Sequence, residues 1–348
     1  MKTYKLKIIS LALGSILLSS CTQLLYTSLD VLRPAKVAFA PEANDLLIVN
    51  NTVIQPADYG HKTDFLNENE KSITIQTDSI ALFCLSALTE ELNGKDFFSS
   101  VQLKQNSINT GTNFKVFRPL RENDVTNLCK PIHADVLLSL DKIEVNDKLS
   151  EYYLQESSTY LTTLEVKYMS YWSIYYPDKT EAINVNFKDS IFWESESYSR
   201  RKALSDIPDR SNALIDGALY VGQNSIKRFV PYWDKVDRYF FNPKNKEMRQ
   251  GMDSVYVKNW KAAISHWTKA LEKSKKTRIQ AEASNNIAIA YEILGDMDKA
   301  IEYTTQSLYT FGTLTLVDYE SFNRISEYLN ELTQRKKDIE ILKQQLGE

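Results

Sequence analysis

The chain has 348 residues, with 42 Lys and Arg against 45 Asp and Glu and a formal charge of −3. There is no basic excess to hold a nucleic-acid backbone, and the length is too great for one small core and fits two domains. Twenty tyrosines and fourteen phenylalanines are ample core material for a sheet.

The first element is an export signal. Lys2, Lys5 and Lys7 form a basic head, and an apolar run follows from Ile8 to Leu18. Small residues, Ser19 and Ser20, precede Cys21, which completes the signal pattern. The run is far short of the ~20 residues that a membrane-spanning helix needs. Leu18-Ser19-Ser20-Cys21 resembles the bacterial lipobox. That resemblance implies cleavage before Cys21, diacylglycerol on its thiol and acylation (palmitate-type) of its new amine. Two or three acyl chains hold a protein at a membrane essentially permanently. Thr22 stands where the sorting rule for inner-membrane retention has aspartate, and no acidic tract follows. The expected location is the periplasmic face of the outer membrane. Residues 1–20 read as the cleaved signal and 21–33 as a tether from the lipid.

Folded pattern starts near Pro34. Lys36 to Ala40 and Leu46 to Asn50 read as short strands, and residues 55–75 as a long polar loop. A helix is expected from Asp78 to Asn93, with Gly94 as its stop. Phe97 to Leu103 and Phe114 to Phe117 are further strand candidates, followed by a short helix from Glu122 to Cys129 and a strand from Val136 to Val145. The clearest hairpin pairs Thr163–Tyr176 with Ala182–Trp193 across Pro177-Asp178. Leu164, Val166, Tyr168, Trp172 and Ile174 fall on one face of it, which predicts one buried and one wet side. A helix through Ile215, Leu219, Gly222 and Ile226 ends at Pro231, and Trp233 and Tyr239-Phe240-Phe241 are expected to cap the core or dock the next domain. Residues 34–242 therefore read as one α+β domain, with an antiparallel or mixed sheet and helices packed on one side. Its element order resembles the small α/β domains of periplasmic assembly lipoproteins.

From residue 243 to 348 the pattern is helical. Gly251, Trp260, Ala263, Trp267 and Ala270 align with Ala288, Tyr291, Gly295, Ala300 and Ser307. This resembles the tetratricopeptide repeat, a helical hairpin of ~34 residues. Small residues are needed where two helices touch, and Gly295-Asp296 supplies a turn. The spacing from Ala263 to Ala300 carries about three extra residues, and Ser254 and Gly312 depart from the usual tyrosine and proline. Val317 to Leu346 reads as two capping helices. Peptide-binding tetratricopeptide domains often place an asparagine where Asn286 stands. Asn286, with Asn285, Ile289 and Glu292, is the candidate partner-binding set.

No catalytic constellation emerges. None of His61, His133 and His266 has a His or Cys at i+3 or i+4, no Gly-x-Ser-x-Gly elbow is present, and the glycines are too few for a phosphate loop. No metal and no cofactor beyond the lipid on Cys21 is expected. Cys84 and Cys129 are the remaining thiols, paired or free. Glu194, Glu196 and Arg200-Arg201-Lys202 read as a solvated cluster, and Tyr168, Tyr171, Trp172, Tyr175 and Tyr176 as core rather than a carbohydrate platform. The whole arrangement resembles outer-membrane lipoproteins of the Bacteroides group, a resemblance that implies no activity. The reading is a non-enzymatic scaffold or assembly lipoprotein whose repeats bind a protein or peptide. The alternative is a small-ligand or glycan binder using the α+β domain.

Overall fold

The computed structural model describes residues 23–348 apart from Asn67, Asp96 and Val317. The signal and Cys21 lie outside the described residues. The chain forms an α+β region with a mixed sheet, followed by five consecutive helices. It divides into two units. One spans Ala35–Pro231; the other joins the chain up to Pro34 to Tyr232–Leu346.

The α+β unit is built on one long strand. In chain order its strands are β2 (Asp45–Asn50), β3 (His61–Asp64), β4 (Lys71–Ser72), β5 (Ser100–Lys104), β6 (Val136–Leu154), β7 (Thr159–Tyr175) and β8 (Ile183–Ser197). Strand β6 pairs antiparallel with β7 along its whole length, and β7 with β8. The other edge of β6 carries β2 on its first half and β3 on its second, both parallel. The β6–β7 hairpin was not legible in the sequence, because a β-bulge at Asp141 shifts the alternation. Before it Val136, Leu138 and Leu140 face the main core; after it Ile143, Val145 and Leu149 do.

Helices cover both faces, where the sequence suggested one. Helices α1 (Ile80–Asn93) and α4 (Arg210–Phe229) pack on Leu46, Ile48 and the apolar row of β7. Helix α2 (Glu122–Cys129) packs on Leu47, Val49 and Leu137 on the opposite face; α3 (Arg200–Ser205) is a short connector. Strand β2 is thus buried on both sides and reads as a continuous apolar run for that reason. Helix α4 starts at Asp209, whose carboxylate accepts from the Ser211 and Asn212 amides. A Cβ on Gly222 would sit 2.2 Å from the Cys84 carbonyl oxygen, so only glycine lets α4 approach α1 this closely. Other expectations change. Residues 36–40 and 114–117 form no strand, though Phe39 and Phe114 are buried. The 55–75 segment is not all loop, since β3 and β4 lie in it.

The helical unit holds α5 (Lys246–Tyr256), α6 (Trp260–Lys273), α7 (Thr277–Ile293), α8 (Met297–Gly312) and α9 (Tyr319–Leu346). Asn245, Asn259 and Asp296 cap α5, α6 and α8. Ala263, Ala288 and Ala300 are fully buried where hairpin helices meet. The two expected capping helices are one helix, α9, because no breaker lies between Leu332 and Ile339. No helix of the described residues is long and apolar enough to cross a membrane.

The largest departure concerns the ends of this unit. Residues 21–33 were expected to be a tether and 34–242 one domain. From Gln23 the tether is instead a strand, β1 (Gln23–Arg33), paired antiparallel along its full length with β9 (Tyr232–Asn242). Both strands belong to the helical unit, so the α+β unit ends at Pro231. The alternation in 23–33 is masked by the polar residues Thr27, Ser28 and Asp30, and its partner lies some 200 residues away, beyond the reach of local pattern.

Candidate functional site

Helix α7 brings the four candidate partner contacts together, but around the chain's own strand. Asn285, Asn286, Ile289 and Glu292 are all buried. The Asn286 Oδ1 accepts the Phe241 amide at 2.8 Å and its Nδ2 donates to the Phe241 carbonyl at 2.8 Å. One side chain thereby takes the place of a neighbouring strand. Asn285 Nδ2 donates to the Tyr239 carbonyl at 3.3 Å. Phe240 stacks on Trp267 and Trp260, and Phe241 packs on Phe311. The groove that the sequence assigned to a partner is thus filled by β9. The residues are those of a peptide clamp, and the peptide is residues 232–242.

Glu292 fixes the strand electrostatically. Arg238 on β9 donates through Nε and Nη2 to its two oxygens at 2.8 and 3.0 Å. Tyr328 Oη donates at 2.8 Å and Arg335 Nη1 at 2.5 Å. Burial pushes the Glu292 carboxyl up, but the bonds and charge of Arg238, then Tyr328 and Arg335, outweigh it and hold it below the usual carboxylate range. Burial and the Glu292 charge drive the Tyr328 phenol well above its ordinary value.

Asn286 also settles which groups β1 leaves open. Both Phe241 backbone groups point at α7, so Phe241 makes no ladder bond to its partner Leu24. By the period of two, Leu24, Tyr26, Ser28, Asp30 and Leu32 turn their backbone groups away from β9. Among the described residues no strand pairs with that outer edge.

A second candidate lies on the outer face of the α+β sheet. The bulge aims Asp141 toward Asn51, Ser139 and Ser173, which donate to it at 2.8, 2.7 and 2.5 Å. Burial raises its carboxyl pKa against the pull of these bonds. Beyond the bulge, Glu144, Asn146, Lys167, Met169, Tyr171 and Lys188 line an open cavity of about 430 Å³. Lys142 Nζ lies 4.4 Å from the Phe114 ring centre and 3.0 Å from Glu144. Tyr59 meets Phe114 edge to face and donates to Glu144 at 3.3 Å. Aromatic faces beside amines and a carboxylate suit a polar, hydroxyl-bearing ligand.

Asp141 gives a pH prediction. Its folded pKa is raised, so the folded chain binds that proton more tightly than the unfolded one. This contribution is full below the unfolded carboxylate range and is lost as pH rises toward the folded value. Asp141→Asn is therefore expected to gain thermal stability relative to the native chain as pH rises from about 4 to 7. Melting temperatures of both across that range check it; a constant difference overturns it.

The other sequence candidates do not converge. Arg200 pairs with the buried Glu151, Glu196 accepts from Thr159, and Lys202 pairs with Asp206. Of the five aromatics, Tyr168, Trp172, Tyr175 and Tyr176 are buried, as expected for core; Tyr171 faces the cavity. His61 Nδ1 lies 2.5 Å from Asp147, which also accepts from Arg210, joining β3, β6 and α4. Cys84 and Cys129 are free and buried. Burial pushes their thiols up to about 12 and about 11, which leaves them inert.

A domain of unknown function, DUF6340, matches residues 249–334. No curated protein matches the chain. A solved structure of a neuraminyllactose-binding hemagglutinin homolog from Helicobacter pylori aligns at 10% identity over 56% of this chain and 90% of that one, with a TM-score of 0.28, too low to carry an argument. A second domain of unknown function, DUF8603, matches residues 43–241, more than half of the chain, and the chain belongs to that family.

Proposed function

We propose that this protein is a lipid-anchored, non-enzymatic scaffold of the cell envelope, held by Cys21 at the periplasmic face of the outer membrane, that binds a protein or peptide through its repeat-like helical unit. The lipobox-like Leu18-Ser19-Ser20-Cys21 supports the anchor. The observation that carries partner binding is the β1–β9 ribbon. With β9 clamped by Asn286, the free edge of β1 offers a row of unpaired backbone groups to which an extended segment can add as a third strand.

Radiolabelled palmitate should enter the native protein and not Cys21→Ser. For the edge, Asp30→Pro removes an outward amide and leaves the ladder to β9 intact, whereas Leu29→Pro removes a ladder donor. Partner recovery from solubilised membranes is expected to fall with Asp30→Pro at unchanged melting temperature. Recovery equal to that of the native protein removes the edge as the binding element.

A second reading is favoured by the Tyr171–Lys188 cavity: the α+β unit binds a glycan or other small polar ligand. A thermal-shift screen of envelope sugars addresses it, since a ligand at 100 times its Kd adds about 2.7 kcal/mol.

A further inference from the structure

We infer that the end of the helical unit from which the anchor emerges is itself an adsorption surface for anionic phospholipid. The inference rests on the lipoprotein reading for its setting and on separate residues for its chemistry.

The ribbon fixes which end this is. Tyr26 Oη accepts from Arg324 near the start of α9, while Arg33 reaches Asp338 near its other end. Strand β1 therefore runs toward the beginning of α9 as it approaches Gln23. Only Thr22 separates Gln23 from Cys21, and two residues span at most about 7 Å. The lipid attachment point lies within that reach of the ordered ribbon.

The same end of the unit is basic and partly apolar. Gln23 pairs with Asn242, which leads directly through Pro243 and Lys244 to Lys246 at the start of α5. The α6–α7 connection, Lys273-Ser274-Lys275-Lys276, turns at this end, and Arg278 just after it bonds Asp318 before α9 at 2.7 Å. That contact brings the basic connection beside the α8–α9 connection, where Leu316 is 89% and Tyr319 73% exposed. Lys244, Lys246, Lys273, Lys275 and Lys276 are all exposed. The acids nearby are largely engaged: Asp318 with Arg278, Glu320 with Arg324, and Glu247 with His266. Glu272 is exposed on α6.

Five exposed lysines, an apolar pair and an acyl anchor on one end have one common complement, an anionic lipid surface. Each lysine brought to such a surface strengthens binding by about fivefold. Tyr319 suits the headgroup layer, where amphipathic rings sit. The short link keeps this end close to the bilayer, so the lysines act at the effective concentration that the anchor provides.

The test uses full-length Cys21→Ser protein, which lacks the lipid and so reports surface adsorption alone. Flotation is measured with phosphatidylcholine vesicles containing about one third phosphatidylglycerol, and with phosphatidylcholine alone. Binding is expected to the anionic vesicles only and to weaken with salt. The triple variant Lys273→Glu, Lys275→Glu, Lys276→Glu is expected to bind on the order of a hundredfold more weakly, at unchanged melting temperature because all three side chains are exposed. Lys104→Glu with Lys130→Glu, exposed in the other unit, is expected to leave flotation unchanged. Equal binding to both vesicle types, none to either, or equal loss in the two variants overturns the inference. Palmitate labelling of the native protein separates that failure from a failure of the lipoprotein reading.

Discussion

Glu292→Gln is expected to lower the urea midpoint of the helical unit by the equivalent of about 3–5 kcal/mol, the cost of removing one member of a buried ion pair. The carboxylate joins three elements of the fold. It takes two bonds from Arg238 on β9, one from Tyr328 and one from Arg335 on α9, and is itself carried by α7. Arg238 is nearly as buried as its partner. Glutamine keeps the shape but removes the charge that Arg238 and Arg335 share, leaving Arg238 only its pair with the half-exposed Glu331. The variant should also lose an acid sensitivity of the native protein. The folded pKa of Glu292 is lowered, so its contribution is full above the unfolded carboxylate range and is lost as pH falls through and below that range. Asp298→Asn, which breaks the exposed pair with Lys336, is the control and should leave the midpoint unmoved. If Glu292→Gln behaves like that control, the buried pair does not hold β9.

Asn286→Leu is expected to release the strand. Leucine fills the same space but satisfies neither the amide nor the carbonyl of Phe241. Each buried group left unpaired costs about 1–3 kcal/mol. Amide exchange across Arg238–Asn242 should accelerate, and limited proteolysis should open between Tyr232 and Asn242. Asn286→Asp keeps the acceptor and loses the donor, so its effect should be intermediate. Native-like protection of β9 in the leucine variant would mean that the aromatic contacts of Phe240 and Phe241 suffice.

Much of the fold was legible in sequence because its signals are local. The apolar row Leu164, Val166, Tyr168, Trp172 and Ile174 is buried as the period of two demands. The small residues Ala263, Ala288 and Ala300 lie at helix contacts, as packing requires. Other features depend on distant partners. The bulge at Asp141 breaks the alternation of β6 in mid-strand, which hid the hairpin and the polar site built on it. The polar row in β1 made a strand look like a tether. The candidate set on α7 gathers around a backbone, and that backbone is the chain's own β9. Tyr239-Phe240-Phe241 are expected to cap the first core or dock the next domain, and Phe240 and Phe241 are core residues of the second unit. An asparagine spaced for a peptide backbone does not reveal whether that backbone comes from another molecule.

The pairing of Arg33 with Tyr232 makes the α+β unit an insertion between two adjacent strands of its neighbour. That arrangement imposes an order on folding. Strand β1 is made first, yet its hydrogen-bonding partner follows only after the whole inserted unit. Closing a contact of such sequence separation is slow compared with local helix formation. Until Tyr232–Asn242 is made, β1 is a bare strand with both edges open to carriers or to unwanted pairing. The first strand of this unit is therefore the one that waits longest for its partner.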